Sequence, residues 1–357
     1  MIEQQIFFWE EDKEKIEDFF HKEKEKNFFV VGGKTCKKSQ IMKCLEQEAI
    51  SVTCFSEYSP NPKYNEVREA IALFRKRCCN YILAIGGGSA IDVAKCVKAF
   101  LYSEEDYLEH PSVENNIPLL VIPTTAGTGS EATQFAVLYH LSKKYSVDYP
   151  HIKPNVVMFE PKLLYGLSEY QKKATLMDAL CQCIESYWAL GRTEESKICS
   201  IKGIRIIIQN YKLYLQNDPG VYSVIQQAAY LSGQAINQTR TTAAHAMSYK
   251  LTSIYGIPHG HAVALCMRYL WPYMIENMPP EQNSIMKELC KELGNNYKES
   301  DIFEKIYMEF SFNQNYEFHF DRDIEELCDS VNVERLSNHP IALSKTVIRN
   351  IYKKIME

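Results

Sequence analysis

No apolar run in this sequence approaches the roughly 20 residues needed to span a bilayer as a helix, which argues against a helical membrane protein. There is no GxGxxG, and the cysteines form no CxxC…CxxC pattern of the kind that holds structural zinc. Positive charge is not in excess either. Forty Lys and Arg stand against 45 Asp and Glu, and the net charge of −5 gives no general attraction to nucleic acid. An anionic ligand would need a local cluster of basic groups. Nothing at the start reads as a secretory signal, because residues 1–8 are followed at once by Glu10, Glu11, Asp12 and Lys13. A cytoplasmic location is expected. The twelve cysteines, with the close pairs Cys78/Cys79 and Cys181/Cys183, are then expected to be reduced core thiols.

What is present is an ordinary globular balance, 46% apolar and 24% charged over 357 residues, enough for two domains. The first half alternates strand-like and helix-like segments. Apolar runs at 28–31, 51–55, 81–85, 119–122 and 156–159 end at Gly, Pro or Thr-rich turns. Val67, Ala70, Ile71 and Phe74 between them fall on one helical face. Segments 135–140 and 145–148 flank Ser142-Lys143-Lys144 as a β-hairpin. This alternation predicts a parallel α/β sheet with ligands at the C-terminal ends of its strands. After Pro161 helical patterns dominate, at 173–190, 197–214, 221–237 and 283–294. The mixed-charge stretch 10–26 reads as the solvated face of a helix. The expected division is therefore 1–161, an α/β domain, and 162–357, an all-α domain.

Two loops at strand ends are candidates for phosphate binding. Gly86-Gly87-Gly88-Ser89 lies between a strand and a helix, where glycines allow close backbone approach to a pyrophosphate. Ser89 with Asp92 also fits an ordinary N-cap. The second loop, 123–131, offers Thr124, Thr125, Thr128 and Ser130 beside two glycines. A tight turn with an ordinary cap also explains the first and a polar surface loop the second, but two at successive strand ends could serve one cofactor. At the end of the first βα strand stand Gly33 and Lys34, where NAD-selective folds place a carboxylate. Lys34 can pair with a 2′-phosphate instead, so NADPH is expected to be accepted alongside NADH.

In the helical half, Asp178 and Gln182 lie four apart on one helix, and His245 and Tyr249 repeat that spacing on another. The second helix should stop at Gly256 and Pro258, leaving His259 at the start of the next. A helix N-terminus disfavours protonated imidazole, which keeps His259 available as a ligand. A carboxylate with two imidazoles suits Fe²⁺ or Zn²⁺ with an open position. Such residues are also common as hydrogen-bonded structural groups, and spacing alone does not separate the two readings.

Four stretches give the chain its resemblance: GGGSAIDVAK (86–95), IPTTAGTGSEAT (122–133), MDALCQCIESYW (177–188) and HAMSYKLTSIYGIPHGHAVAL (245–265). The sequence resembles the iron-containing (group III) alcohol dehydrogenase family from residue 28 to about 272. The resemblance implies a Rossmann-like dinucleotide-binding domain and a helical metal-binding domain, with the active site in the cleft between them. It implies cofactor contacts at Asn61, Gly88, Ser89, Asp92, Thr124, Thr125, Thr133 and Lys144, and metal ligation by Asp178, His245 and His259. It also implies a homodimer. Two positions depart from the family. Gln182 stands where a fourth, histidine ligand is usual, and as a neutral oxygen donor it is a weaker candidate ligand. Tyr249 replaces a second histidine, which leaves Tyr249, His261 or solvent to move the proton. These departures, with RTEES (192–196) and RTTAAHAMSYKL (240–251), are similar to a phosphonoacetaldehyde reductase branch, and Arg240, Lys250 and Arg192 are the basic candidates for its dianionic substrate. The expected reaction is NAD(P)H-dependent reduction of phosphonoacetaldehyde to 2-hydroxyethylphosphonate. Alternatives are a dehydrogenase of an unphosphonated alcohol, diol or polyol, a lyase like the dehydroquinate synthases, and a metal-free binding protein.

Overall fold

Strands that are apolar on both faces can only be satisfied inside a covered parallel sheet, and that is where four of the five expected strands lie, the one at 51–55 being a partly exposed strand at the sheet edge. The computed structural model describes residues 3–103, 114–141, 143–294, 296–331 and 333–357. Its strands are β1 (Gln5–Phe8), β2 (Asn27–Gly32), β3 (Ser51–Phe55), β4 (Tyr81–Gly86), β5 (Leu119–Pro123), β6 (Phe135–His140), β7 (Lys143–Asp148) and β8 (Val156–Phe159). Six form one all-parallel sheet in the order β1-β8-β5-β4-β2-β3. The helices between them are α1 (Lys13–Lys22), α2 (Gln40–Gln47), α3 (Tyr64–Lys76) and α4 (Gly88–Phe100).

The period of two along β2 sorts its side chains into two cores. Phe28 and Val30 pack with Ile16 and Phe20 of α1 and Ile41 and Leu45 of α2. Phe29 and Val31 pack on the other side with Val67, Ile71 and Phe74 of α3 and Ala90, Val93 and Val97 of α4. Each such fully buried aliphatic or aromatic side chain contributes roughly 1.5–3 kcal/mol. The sheet is therefore doubly wound, and its register sets the carboxyl ends of β2, β4 and β5 side by side, with Gly32 opposite Ile85 and Gly86 opposite Pro123.

β6 and β7 pair antiparallel as a hairpin from Phe135↔Asp148 to His140↔Lys143, while Ser142 of the expected turn lies outside the described residues. Strand β1, parallel to β8, is the one strand with no sequence signal behind it. It is a four-residue edge element with no fully buried side chain, so no alternation marks it.

The chain divides into two compact units, one of residues 1–125 and 129–166, the other of 126–128 and 167–357. The second is helical. Its first helices are α5 (Glu169–Trp188), α6 (Glu194–Leu215), α7 (Tyr222–Thr239), α8 (Ala243–Tyr255) and α9 (His259–Asn277). Ser168 and Thr193 open α5 and α6 with capping boxes, each accepting from the backbone of the third helical residue. Gly256 takes a left-handed φ of 67°, which ends α8, and Pro258 caps α9, so His259 is its first residue. Among the described residues no helix is long and apolar enough to cross a membrane. All twelve cysteines are free, nine of them buried.

Candidate metal centre and nucleotide loops

A ligand set drawn from three helices requires close helix approach, and two glycines provide it on α5. At Gly260, beside His259, a Cβ would lie 2.0 Å from the Ala174 carbonyl oxygen and 2.8 Å from Asp178 Cβ. Only glycine lets the start of α9 lie there. At Gly127 a Cβ would lie 2.6 Å from both Cβ and the carbonyl oxygen of Thr175. The α5 turn bearing Asp178 is thus flanked by backbone on both sides.

One ligand atom each of Asp178, His245 and His259 lies within 4.8 Å of the others, with Asp178 and His245 buried and His259 half-buried. His245 Nε2 is 3.1 Å from Asp178 Oδ1. The His245–Asp178 pair has the spacing of about 3–4 Å that one ion with bonds of about 2.0–2.2 Å gathers, and with His259 as the third donor the set has the chemistry that suits a divalent cation. Behind His245 sits Glu185, fully buried, whose Oε2 accepts from His245 Nδ1. Its Oε1 accepts from the Thr242 hydroxyl (2.8 Å) and from the N–H groups of Ala244 (2.9 Å), Thr242 (3.1 Å) and His245 (3.4 Å). This carboxylate fixes the ring so that Nε2 faces Asp178, the usual device for orienting a ligating histidine. Burial alone would lower the His245 pKa, but the charge of Glu185 and the hydrogen bonds that the imidazole donates to both carboxylates outweigh it and raise it. Burial pushes Asp178 and Glu185 upward, and their bonds and charges with the imidazoles reverse that to a net lowering.

Glu185 is the site residue that sequence reading passed over. It lies seven residues after Asp178, two turns along the same face of α5, and that spacing of carboxylates was the available signal.

Gln182 does not offer its oxygen to this cluster in the way a ligand would. Its Oε1 accepts from Ser232 Oγ (2.8 Å), while Nε2 lies 3.2 Å from the Thr128 carbonyl oxygen and 3.3 Å from Asp178 Oδ1. Tyr249 stacks on the His259 ring, 5.6 Å away and 9° from parallel. His261 has another setting from that expected of a proton donor. Its Nδ1 meets Tyr170 Oη at 2.8 Å, its Nε2 meets Tyr307 Oη at 3.0 Å, and its ring stacks on Phe312. Burial pushes its pKa down to about 4. A neutral ring with both nitrogens engaged has none to offer a substrate.

The three basic candidates differ. Lys250 pairs with Glu326 at 2.6 Å, and Arg192 Nη1 donates to the Ala189 carbonyl at the end of α5. Arg240 is half-buried and holds φ 66°, ψ 173°, a region essentially reserved for glycine.

In the α/β unit, the Gly86–Ser89 turn is built as the sequence suggested, with one correction. The N-cap of α4 is Gly87 in extended conformation, and Ser89 lies inside the helix with its hydroxyl donating to the Pro60 carbonyl, next to Asn61. At Gly86 a Cβ would sit 2.4 Å from Ala90 Cβ, so the turn demands glycine. Thr124 N–H donates to the Gly86 carbonyl at 3.0 Å, joining the two loops. Gly33 and Lys34 are exposed beyond β2, and Tyr58 Oη lies within 3.9 Å of where a Cβ would stand on Gly33 and 3.7 Å on Gly86. Of Asp92 and Thr133, expected at the cofactor, Thr133 is buried and Asp92 half-buried, and both bond within the protein. Buried Lys95 donates to the carbonyls of Ser130 (2.6 Å) and Phe135 (2.7 Å) and to the hydroxyls of Ser130 and Thr133 (3.0 Å each). Asp92 accepts from Ser130 Oγ (3.0 Å) and Val137 N–H (3.2 Å). Burial lowers the Lys95 pKa to about 8 against the opposing charges of Asp92 and Glu131. These groups brace residues 130–137. Lys144 lies half-buried on β7, near enough to Asp92 for its charge to act on it.

Comparison with known proteins agrees with this architecture. Residues 3–161 match the family model described as iron-containing alcohol dehydrogenase, and residues 172–356 match the C-terminal model of the Fe-containing alcohol dehydrogenase family. The chain is 28% identical over 263 residues to alcohol dehydrogenase 4 of Schizosaccharomyces pombe, a match covering 71% of this chain and 62% of that relative. It is 32% identical over 206 residues to phosphonoacetaldehyde reductase of Streptomyces viridochromogenes, covering 54% of this chain and 52% of that one. The crystal structure of sulfoacetaldehyde reductase from Bifidobacterium kashiwanohense in complex with NAD+ superposes with a TM-score of 0.89 at 22% identity, over 99% of this chain and 97% of that one. With both halves matched in order, the chain belongs to the iron-containing alcohol dehydrogenase family.

Proposed function

We propose that this chain is an NAD(P)H-dependent reductase of a small aldehyde, and that its substrate is phosphonoacetaldehyde, reduced to 2-hydroxyethylphosphonate. The observation that carries the reading is the buried cluster of Asp178, His245 and His259 with Glu185 behind it. A divalent ion bound there supplies a Lewis acid able to polarise a carbonyl. Glu185 keeps the proton of His245 on Nδ1, which leaves Nε2 as the donor. The turn at Gly87, Gly88 and Ser89 offers backbone N–H groups to a pyrophosphate, and the bond from Thr124 N–H to the Gly86 carbonyl holds the second loop beside it. Bound NAD(P)H would supply the hydride for the aldehyde carbon, and with a proton on its oxygen the product is the primary alcohol. Tyr249, stacked on His259, is the side chain assigned to deliver that proton, with solvent as its source. His261 is set aside.

The phosphonate is assigned to Arg240. Arg240 stands three residues before α8, the helix that carries His245, in a strained backbone conformation. Similarity to the Streptomyces reductase supports this substrate, and the longer match to alcohol dehydrogenase 4 favours an unphosphonated alcohol as the second reading. Aldehydes of equal length with and without the phosphonate, assayed with NADPH, separate the two. No gain in kcat/KM for the charged compound overturns the phosphonate assignment. With Lys34 and no carboxylate beyond β2, NADPH should be accepted, and a hundredfold preference for NADH would overturn that. The family resemblance further suggests a cytoplasmic homodimer, which sedimentation and fractionation would test.

A further inference from the structure

Gln182 stands one turn after Asp178 on α5 and is 4% exposed. Its amide can be oriented from chemistry alone. The two atoms facing one end are the Thr128 carbonyl oxygen and Asp178 Oδ1, at 3.2 and 3.3 Å. Both are acceptors, and ionised Asp178 has no proton to give. The amide nitrogen must therefore occupy that end, because an amide oxygen there would confront two oxygens in a buried site. The other end is permissive. Ser232 Oγ donates to Gln182 Oε1 at 2.8 Å, but it also lies 2.8 Å from the Ala229 carbonyl and could serve either orientation. The acceptor pair decides. An amide nitrogen carries two protons and a delocalised lone pair, so it is no ligand for a divalent cation.

We infer that Gln182 is a positioning residue, not a ligand: it donates to Asp178 Oδ1 and to the Thr128 carbonyl, and leaves three protein donors at the metal. This rests on the metal reading proposed above. The same amide ties residues 126–128 to α5, where the glycine of that segment already packs against Thr175. One hydrogen-bonded group thus fixes the carboxylate and the loop together, with Ser232 locking it from behind.

The test titrates Co²⁺ alone into the full-length chain, using d–d absorption as the signature of coordination and chelator competition for the Kd. Gln182→Met keeps the volume and removes the donor. The expected result is an unchanged Co²⁺ spectrum with the Kd raised about 10–100-fold, as for other groups that orient ligands. Ser232→Ala should raise the Kd by a smaller factor, also without spectral change, and it carries the test if Gln182→Met does not fold. Gln182→Glu should change the spectrum, because it places a carboxylate oxygen where a donor N–H had been. A Gln182→Met protein with an altered spectrum would show that the amide oxygen had been a ligand and overturn the inference. So would one with unchanged spectrum and Kd at unchanged apo melting temperature. Wild-type chain that binds no Co²⁺ overturns the metal reading itself, and this inference with it.

Discussion

Changing Glu185 to Gln removes one charge and one oxygen from a carboxylate with five donors around it, and the structure dictates which way the new amide turns. Oε1 receives three backbone N–H groups and the Thr242 hydroxyl, and Oε2 receives His245 Nδ1. If the amide nitrogen faced the first group, the hydroxyl could rotate to accept, but three N–H groups would be left buried without an acceptor. At about 1–3 kcal/mol each, that orientation costs at least about 3 kcal/mol. The nitrogen will therefore turn to His245. Nδ1 must then accept, the imidazole proton moves to Nε2, and the atom aimed at Asp178 loses the lone pair that binds metal. Loss of such an orienting partner typically weakens metal binding about 10–100-fold, or about 1.4–2.7 kcal/mol. Competition for Zn²⁺ against a chromophoric chelator measures the Kd, and ¹⁵N chemical shifts of the histidines report the tautomer. A Glu185→Gln protein with wild-type Kd and the proton still on Nδ1 would refute the reasoning.

Gly260→Ala should lose metal binding and at least about 1–3 kcal/mol of stability, because the new Cβ meets the Ala174 carbonyl; denaturant melts and a Zn²⁺ titration check both. Lys95→Met should strand Asp92 and the Ser130 and Phe135 carbonyls, destabilise the chain by about 3 kcal/mol or more, and weaken NADPH binding read by fluorescence. His339 is buried with neither ring nitrogen hydrogen-bonded, and burial lowers its pKa to about 4 despite the charge of Glu185. Because its folded pKa is depressed, the unfolded chain takes up the proton first, and stability falls as pH drops from about 6.5 towards 4, by about 2 kcal/mol at pH 5. His339→Phe should remove that share of the acid sensitivity, measured by urea melts at pH 7 and pH 5.

Where local chemistry alone decides the structure, the sequence was readable. Gly256 and Pro258 placed His259 at a helix start, and apolar runs ending in Gly or Pro located β2 to β5 and β8. Asp178, His245 and His259 could be named individually, but their convergence depends on Gly260 letting α9 lie against α5, which is a matter of helix packing. Tertiary partners account for the misreadings. Ser89 and Asp92 look like a cap until Pro60 and Ser130, distant in sequence, claim their side chains. His261 looks available until Tyr170 and Tyr307 take its nitrogens. Gln182 is ambiguous in sequence because an amide is both donor and acceptor. Only the atoms opposite it choose.

The most direct test is the metal content of the purified chain, measured by elemental analysis after loading with Fe²⁺ or Zn²⁺, beside Asp178→Asn, His245→Ala and His259→Ala. The expected result is one ion bound per wild-type chain and loss of tight binding in each variant, with all four proteins folded. A folded wild-type chain that takes up no ion, or variants that retain it at unchanged affinity, would contradict the assignment of these three residues.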